Sequence, residues 1–257
     1  MSLIYKVLLG LFVSAVIALS AQALELKAAL ADKDYPPFYF YDEVKQEYAG
    51  ISIDICRAVA QSLGYDLTFV RMPFVRLLHD LSEGKADIAC TLFNTSSRAP
   101  GITFTGVPHT FENISVFARN DRQAQAQKLD IENIKRYKIG GVRAYFYGKK
   151  FEDKGNFKKL EVNDEAQLIK VLLAKRIDYA LGNKASILHQ AREFGVADKL
   201  MFIEGSVYSG PIYIGFSRSR DDAHKLSAEF TKAIVRLRGS DEYQAILEHY
   251  QASTPLF

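Results

Sequence analysis

The sequence predicts an α/β protein built as two lobes that two strands join. Apolar runs of strand length alternate with segments of helical periodicity, which is typical of a largely parallel sheet covered by helices. This alternation runs through the first third of the chain and starts again near residue 138. With 257 residues, 48% of them hydrophobic and 25% charged, the chain is globular in composition and long enough for two small domains.

Residues 1–23 are typical of a secretory signal peptide. Lys6 is their only charge, and the largely apolar run Val7–Leu19 follows it. Ala21-Gln22-Ala23 then fits the small-x-small cleavage pattern, so we expect cleavage near Ala23 and a periplasmic mature protein. The alternative is an uncleaved membrane anchor, for which the apolar run is short.

The first predicted lobe begins with three strands and two helices. A helix is excluded between the first strand and the first helix because Pro36 and Pro37 are consecutive, and Gly64 ends that helix as a C-cap. The predicted strands are Leu26–Ala31, Leu67–Val70 and Asp87–Leu92, the helices are Ile51–Leu63 and Phe74–Leu81, and a last helical segment, Ala223–Tyr250, packs back on this lobe.

The second predicted lobe repeats the strand–helix–strand pattern. Its strands are Lys138–Val142 and Ile177–Leu181, and the helix Asp164–Ala174 between them has Asn163 or Asp164 as its cap.

Two further strand-like runs lie where the chain passes between the lobes. Ile114–Arg119 follows a predicted turn at Phe111-Glu112-Asn113, and Ile212–Phe216 follows Ser209-Gly210-Pro211. The first lobe is therefore discontinuous, and the two crossing strands form a natural hinge. The predicted domains are residues 24–117 plus 216–257 for lobe one and residues 118–215 for lobe two.

Cys56 and Cys90 are the only cysteines. Export permits a disulfide between them. Each also lies in an apolar segment, so two buried free thiols are equally compatible with the sequence.

Charge and motifs exclude several classes of function. Removal of Lys6 lowers the net charge from +3 to +2, which is no excess of the kind that nucleic-acid-binding proteins carry. Nucleophile elbows, phosphate-binding loops and dinucleotide fingerprints are absent from the sequence, and its five histidines lack metal-ligand spacing. We expect a monomer without a metal or a cofactor, and not an enzyme.

Ligands of open α/β sheets bind beyond the carboxyl ends of the strands. That rule selects four segments, two in each predicted lobe, which is the arrangement that a clamshell needs. They are Asp32–Tyr35, Thr91–Arg98, Arg143–Tyr147 and Gly182-Asn183.

In the first lobe, Arg98 follows a hydroxyl-rich turn, and its guanidinium matches a carboxylate in two parallel hydrogen bonds. Tyr35, Phe74 and Phe93 offer rings that can hold an aliphatic chain or a cation, and Arg76 offers a second positive charge. Core packing is the alternative for the rings, and a solvated surface position is the alternative for each arginine.

In the second lobe, Arg143 and Tyr145 follow a glycine-containing strand, and we expect their segment to open a helix whose N-terminus binds an anion. Asn183 ends a strand, and its amide can both donate to and accept from a polar ligand. A turn asparagine after Gly182 is the alternative.

Several motifs in order resemble the family 3 extracellular solute-binding proteins, the polar amino-acid receptors of bacterial ABC importers. They cover nearly the whole mature chain. They are Asp32…Tyr35-Pro36-Pro37-Phe38, Gly50-Ile51-Ser52-Ile53-Asp54-Ile55, Gly84-Lys85-Ala86-Asp87-Ile88-Ala89 with the later Arg98, and the tail Phe230…Ile234…Tyr243…Tyr250.

The resemblance implies a type II periplasmic-binding-protein fold that closes like a Venus flytrap on a small polar ligand. It implies that Arg98 binds a carboxylate, that Tyr35 and Phe74 stack on the ligand, and that Asp32 contacts its side chain. Thr91 and Phe93 fall where the family donates further hydrogen bonds to the carboxylate.

The chain departs from the family in the second lobe. Asn183 stands where an aspartate usually binds the α-ammonium, and Tyr145 lies where a loop of small residues is usual. The sequence is therefore also compatible with a ligand that carries more negative charge or has no ammonium group. The resemblance implies an amino acid or a related carboxylate as ligand and an inner-membrane ABC permease as partner. The alternatives are a dehydratase of the arogenate or prephenate type on the same scaffold and a stand-alone ligand sensor.

Overall fold

The computed structural model describes residues 24–122, 134, 136–152, 159–205 and 207–250. The predicted signal peptide, residues 1–23, lies outside the described residues. Within the described part of the chain, no helix is both long enough and apolar enough to cross a bilayer.

The described residues form twelve strands and seven α-helices, which we number in chain order. The strands are β1 Leu24–Ala31, β2 Phe40–Asp42, β3 Glu47–Ala49, β4 Tyr65–Met72, β5 Ile88–Phe93, β6 Ile102–Phe104, β7 Thr110–Arg119, β8 Ile139–Val142, β9 Lys159–Val162, β10 Tyr179–Asn183, β11 Leu200–Phe202 and β12 Tyr208–Ser217. The helices are α1 Ile51–Ser62, α2 Phe74–Ser82, α3 Lys149–Glu152, α4 Glu165–Leu173, α5 Lys184–Glu193, α6 Ala223–Arg238 and α7 Asp241–His249.

Ten strands form one curled sheet in the order β4-β1-β5-β12-β7-β10-β8-β9, with β6 on β12 and β11 on β7. The outer pairs are parallel: β1 pairs with β4 and β5, and β8 pairs with β9 and β10. Each of these parallel groups is joined through helices, as the alternation in the sequence predicts. The predicted α/β class is confirmed.

Two long strands, β7 and β12, connect the halves of the sheet. They run antiparallel, with Thr110–Ile114 opposite Tyr208–Ile212. Beyond that stretch β7 pairs with β10 and β11, whereas β12 pairs with β5 and β6. We call the half with β1, β4 and β5 lobe one and the half with β8, β9 and β10 lobe two. The boundaries at residues 117/118 and 215/216 stay predictions.

Each lobe has its own core. In lobe one, α1, α6 and α7 cover one face of the sheet, and α2 covers the other with Leu77 and Leu81. In lobe two, α4 and α5 bury Leu168, Leu172 and Ile187 against the sheet. Burial of each such aliphatic side chain contributes roughly 1.5–3 kcal/mol to the stability of the fold. Each lobe is therefore a rigid unit on its own side of the space between the lobes.

A disulfide joins Cys56 of α1 to Cys90 of β5, with 6.0 Å between their Cα atoms. Both cysteines are fully buried in the core of lobe one. The pairing that the sequence left open is therefore settled in favour of the bond.

Two predicted segments of lobe one differ from the structure. The predicted helical segment Ala223–Tyr250 is two helices, because α6 ends at Arg238 and Ser240 caps α7 by accepting a hydrogen bond from the Tyr243 amide. The predicted turn at Phe111-Glu112-Asn113 is wrong, because these residues lie inside β7. The break between α6 and α7 was missed because the apolar stripe of the predicted helix continues past Gly239.

Candidate functional site

A cavity of about 40 Å³ lies between the two lobes. Six of the residues predicted from the sequence line it: Tyr35, Phe74, Thr91, Phe93, Arg98 and Tyr145. Five others were not predicted: Tyr39, Glu112, Ile114, Phe146 and Ile212. The strand ends of both lobes therefore meet at one place, as the rule for open sheets predicts.

Arg98 is the buried cation of this cavity, with 8% of its surface exposed. Its guanidinium donates to the Phe93 carbonyl at 2.9 Å in lobe one and to the Ala144 carbonyl at 2.9 Å in lobe two. It also lies 5.4 Å from the centre of the Phe74 ring. Burial lowers the pKa of Arg98 to about 10, which leaves the side chain charged at neutral pH.

Arg98 has no carboxylate within 4.0 Å among the residues that the structure describes. A buried charge without a counter-ion is costly, and carbonyl dipoles compensate it only in part. The Thr91 hydroxyl is also unsatisfied, because it is buried and lacks a hydrogen-bond partner within the described chain. A carboxylate in the cavity would satisfy both groups.

Tyr145 reaches into the cavity from lobe two. Its ring packs edge-on against Phe74 at 4.8 Å and against Tyr35 at 6.0 Å, measured between ring centres. The resemblance implies that a ligand stacks between these two rings, so Tyr145 occupies that slot. The cavity of about 40 Å³ is smaller than an amino acid, and a ligand stacked between Tyr35 and Phe74 would have to displace Tyr145.

The loop that carries Tyr145 is not the helix start that the sequence predicts. Helix α3 begins only at Lys149 and has four residues, so the expected anion site at a helix N-terminus is not formed. The loop is instead fixed by Tyr147, whose hydroxyl accepts a hydrogen bond from the Val142 amide at 2.7 Å. Ala144 has a φ of 63°, in the left-handed region, and this turn points its carbonyl at Arg98.

Two buried glutamates were missed by the sequence analysis. Glu112 of β7 is 3% exposed and accepts a hydrogen bond from the Tyr35 hydroxyl. Glu165, in the first turn of α4, is 4% exposed and accepts one from the Ser186 hydroxyl. The signal for Glu112 was a charged residue directly before the strand-like run Ile114–Arg119, and the wrong turn prediction at Phe111-Glu112-Asn113 hid it.

Burial raises the pKa of Glu112 to about 7 and that of Glu165 to about 8. Burial, and after it the charges of the two carboxylates, raises the pKa of Tyr35 and of Tyr145. Of the two glutamates, Glu112 lines the cavity. Neither glutamate has a Lys, Arg or His nitrogen within 4.0 Å among the described residues.

We expect the free energy of unfolding to fall as the pH rises from 6.5 to 8.5. In this range the folded protein holds protons on Glu112 and Glu165 that the unfolded chain, with carboxyl pKa values near ~4.5, has already lost. Their stabilising contribution is present at low pH and is lost as the pH passes through the folded pKa values, a change on the order of 2 kcal/mol. Urea unfolding at both pH values measures it.

The double variant Glu112→Gln/Glu165→Gln should remove most of this slope, whereas Glu248→Gln, an exposed glutamate on α7, should keep it. His109 makes a small contribution of opposite sign, because burial lowers its pKa to about 3 in the folded protein whereas the unfolded chain, with a histidine pKa near ~6.5, loses about half a proton above pH 6.5. The wild type and both variants share this contribution, so it does not affect their comparison. A slope that the double variant retains would show that the two glutamates are ionised in the folded protein.

Four predicted site residues lie outside the cavity. Asp32 lines a separate pocket together with Arg71 and Gln190. Arg76 is exposed on α2 and pairs with Asp80 at 3.2 Å. Arg143 is exposed near Glu161. Asn183 is buried but caps α5, because its side-chain oxygen accepts from the Ala185 amide at 3.0 Å and the Ser186 amide at 3.2 Å. Within the described ranges, no group of three or more His, Cys, Asp or Glu residues could hold a metal ion.

Two lobes that are joined by paired strands and enclose a buried arginine, with no carboxylate within 4.0 Å among the described residues, are the architecture of a clamshell binding protein. A family model described as bacterial extracellular solute-binding proteins, family 3, matches residues 28–253, and the chain belongs to this family. The resemblance that the motifs predict is therefore confirmed.

Three relatives illustrate the similarity. The arginine-binding periplasmic protein of Mannheimia haemolytica is 24% identical over 250 residues, which cover 95% of this chain and 98% of that protein. A histidine kinase sensor domain with similarity to periplasmic binding proteins is 22% identical, with a TM-score of 0.76 over 90% of this chain and 97% of that one. The amino acid ABC transporter substrate-binding protein AbpA of Streptococcus pneumoniae, bound to L-arginine, is 19% identical, with a TM-score of 0.71 over 88% and 94%.

These solved structures confirm the type II periplasmic-binding-protein fold, with two lobes and two connecting strands. The family and the named amino-acid-binding relatives are binding proteins rather than enzymes.

Proposed function

We propose that this protein captures an amino acid or a related carboxylate in the periplasm by hinge closure and delivers it to an inner-membrane ABC importer. The observation that carries the proposal is Arg98, a buried guanidinium between the lobes without a carboxylate partner in the described chain. The names of two relatives, an arginine-binding periplasmic protein and an ABC transporter substrate-binding protein, support it.

The ligand carboxylate takes the place of the Ala144 carbonyl at Arg98 and accepts a further hydrogen bond from the Thr91 hydroxyl. Two charge-assisted bonds to a planar guanidinium fix its orientation. The ligand side chain enters the slot between Tyr35 and Phe74, from which Tyr145 withdraws. Closure is driven by the higher affinity of the closed lobes for the ligand.

The location and the partner are part of the same proposal. Residues 1–23 direct export and are removed near Ala23. The mature chain works as a monomeric clamshell, with lobe one formed by residues 24–117 plus 216–257 and lobe two by residues 118–215. Genes for a permease and an ATPase are expected beside the gene for this protein. Their absence would favour a stand-alone sensor.

A thermal-shift screen tests the function. We expect at least one of the L-amino acids, organic acids, amines and dipeptides of a panel to raise the unfolding temperature by roughly 5–10 °C at a concentration of about 100 times its Kd. The same compound should reduce the radius of gyration in small-angle X-ray scattering, because the lobes close on it. A panel that gives neither a shift nor a compaction would rule out a small polar ligand.

An enzyme on this scaffold is the second candidate, and the raised pKa values of the buried Glu112 and Glu165 favour it. A carboxylic acid with a pKa near neutrality is a competent general acid, as elimination of a hydroxyl group from arogenate or prephenate requires. Incubation with prephenate distinguishes the two functions, because turnover gives an aromatic product with a new ultraviolet absorbance, whereas a receptor returns the compound unchanged.

A further inference from the structure

Aromatic rings dominate the lining of the cavity between the lobes. They belong to Tyr35, Tyr39, Phe74, Phe93, Tyr145 and Phe146. Ile114 and Ile212 complete the apolar part, and the polar side chains that line the cavity are Thr91, Arg98 and Glu112. A pocket of this composition encloses an apolar body with its walls and orients that body with its few polar groups.

The polar side chains of the cavity match one charged group on a ligand. Glu112 accepts a hydrogen bond from the Tyr35 hydroxyl, so it orients that ring. Within the described chain, Arg98 has no carboxylate within 4.0 Å, and the Thr91 hydroxyl has no hydrogen-bond partner. A single carboxylate satisfies both Arg98 and Thr91, and the walls beyond it are rings and aliphatic chains.

We propose that the ligand is an aromatic monocarboxylate, in which a short chain joins a six-membered ring to the carboxylate, and that the Ala144 carbonyl and the Tyr145 ring stand in the positions of its two ends. This proposal rests on the proposed function and names its ligand class. The Ala144 carbonyl oxygen accepts from the Arg98 guanidinium at 2.9 Å, as a carboxylate oxygen would. The ring of the next residue, Tyr145, has its centre 4.8 Å from that of Phe74 and 6.0 Å from that of Tyr35.

The covalent distance between these two groups defines the length of the ligand. The amide nitrogen, Cα and Cβ of Tyr145 separate the Ala144 carbonyl carbon from the ring. A saturated chain of the same length joins the two ends of 4-phenylbutanoate, and a chain that is one atom shorter joins those of 3-phenylpropanoate and phenylalanine. Benzoate carries its carboxylate directly on the ring, so it is too short to reach Arg98 while its ring lies between Tyr35 and Phe74.

The walls of the slot suit a ring better than an aliphatic chain. Tyr35 stacks on Tyr39 at 5.7 Å, and its hydroxyl donates to Glu112, so its ring is held in place. Tyr145 meets Tyr35 and Phe74 edge-on, at interplanar angles of 87° and 74°, which is an arrangement that aromatic pairs prefer. A ligand ring makes the same contacts once Tyr145 has withdrawn, whereas an aliphatic chain gains only dispersion contacts there.

Asn183 is consistent with a ligand whose recognition does not depend on an ammonium group. Its side-chain oxygen caps α5 by accepting from the Ala185 amide at 3.0 Å, and its nitrogen donates to the Asn113 carbonyl at 3.3 Å. The amide is thus engaged within the protein, and it offers no negative charge to a ligand. The ring and the carboxylate therefore carry the recognition.

Isothermal titration calorimetry with a series of carboxylates tests the proposal on the wild type. Benzoate, phenylacetate, 3-phenylpropanoate and 4-phenylbutanoate lengthen the chain one atom at a time, and L-phenylalanine adds the ammonium group. Hexanoate and L-norleucine are the aliphatic counterparts. We expect the tightest aromatic compound to bind about tenfold or more tightly than benzoate and than its aliphatic counterpart. The ratio of L-phenylalanine to 3-phenylpropanoate affinity distinguishes an aromatic amino acid from an acid without an ammonium group.

Tyr145→Ala tests whether the Tyr145 ring marks the position of the ligand ring. The substitution removes a side chain of the shape of p-cresol, and p-cresol should raise the unfolding temperature of the variant by roughly 3–5 °C at about ten times its Kd. Wild type and Tyr137→Ala should show no such shift, since Tyr137 is 39% exposed in lobe two and does not line the cavity. Tyr145→Ala should also bind the aromatic carboxylate about tenfold more tightly than the wild type, because the ligand no longer competes with Tyr145.

Several results would overturn the proposal. They are hexanoate and L-norleucine binding as tightly as their aromatic counterparts, weaker binding of the aromatic carboxylate by Tyr145→Ala that urea unfolding shows to be folded, and no response of that folded variant to p-cresol. Binding of only aliphatic or cationic compounds would overturn it while the receptor function stands. A panel without any binder would refute the function itself.

Discussion

Arg98→Ala is expected to weaken ligand binding at least 100-fold and to abolish the thermal shift that the ligand produces. The guanidinium is buried and already oriented by the Phe93 carbonyl, so a carboxylate loses two charge-assisted hydrogen bonds when it is removed. Each such bond contributes roughly 1.5–3 kcal/mol, and a loss of about 2.7 kcal/mol corresponds to 100-fold. Calorimetry with the ligand found in the screen measures the loss.

Arg76→Ala is the matched control. Arg76 was predicted from the sequence alongside Arg98, but its side chain is 70% exposed and pairs with Asp80 outside the cavity. We expect its removal to leave the affinity unchanged within about twofold, since exposed ion pairs contribute ~0–1 kcal/mol. Arg98 also links the lobes through the Ala144 carbonyl, so the variant's urea unfolding curve is needed to show that it is folded. An unchanged thermal shift in folded Arg98→Ala would remove Arg98 from the site.

Replacement of both disulfide cysteines is expected to produce the largest change in stability. The double variant Cys56→Ala/Cys90→Ala should lose about 3–4 kcal/mol, because the bond closes a loop of 34 residues and so restricts the unfolded chain. For a chain of this size the unfolding temperature should fall by roughly 10 °C. Differential scanning calorimetry measures both quantities.

Reduction provides the control for this experiment. Wild type treated with a phosphine reductant under denaturing conditions, and then refolded in its presence, should unfold near the temperature of the double variant. The double variant itself should be insensitive to the reductant. Wild type whose unfolding temperature is the same in the oxidised and reduced states would show that the Cys56–Cys90 bond does not stabilise the native protein.

The strands of the predicted strand–helix alternation lie close to their predicted positions because their signals are local, whereas short strands such as β2, β3 and β11 were not predicted. Strand β1 and helix α1 differ from the predicted ranges by no more than two residues at either end, since hydrophobic periodicity and Gly64 fix them within a few residues of chain. The break between α6 and α7 was missed although Ser240 is a good N-cap residue, because the apolar stripe continues across it. A local signal such as the Ser240 N-cap is missed where a second pattern, here the apolar stripe, covers the same residues.

The site was predicted only in part, because its residues come from distant segments. Strand-end position selected Arg98, Phe93 and Tyr145 correctly as cavity residues, yet it placed Arg143 and Asn183 there as well. A strand-end rule indicates an edge of the sheet but not the direction in which a side chain points.

The sequence by itself determined the α/β alternation, the two-lobed order of the chain, the family and the candidate carboxylate-binding Arg98. The tertiary structure decided that Cys56 pairs with Cys90, that Arg98 meets the carbonyl of Ala144, 46 residues away, and that Glu112 meets Tyr35, 77 residues away. Periodicity records which face of an element is buried. Only the crossing of β7 and β12 brings the two lobes together, and only burial in the folded chain raises the pKa of Glu112 and that of Glu165.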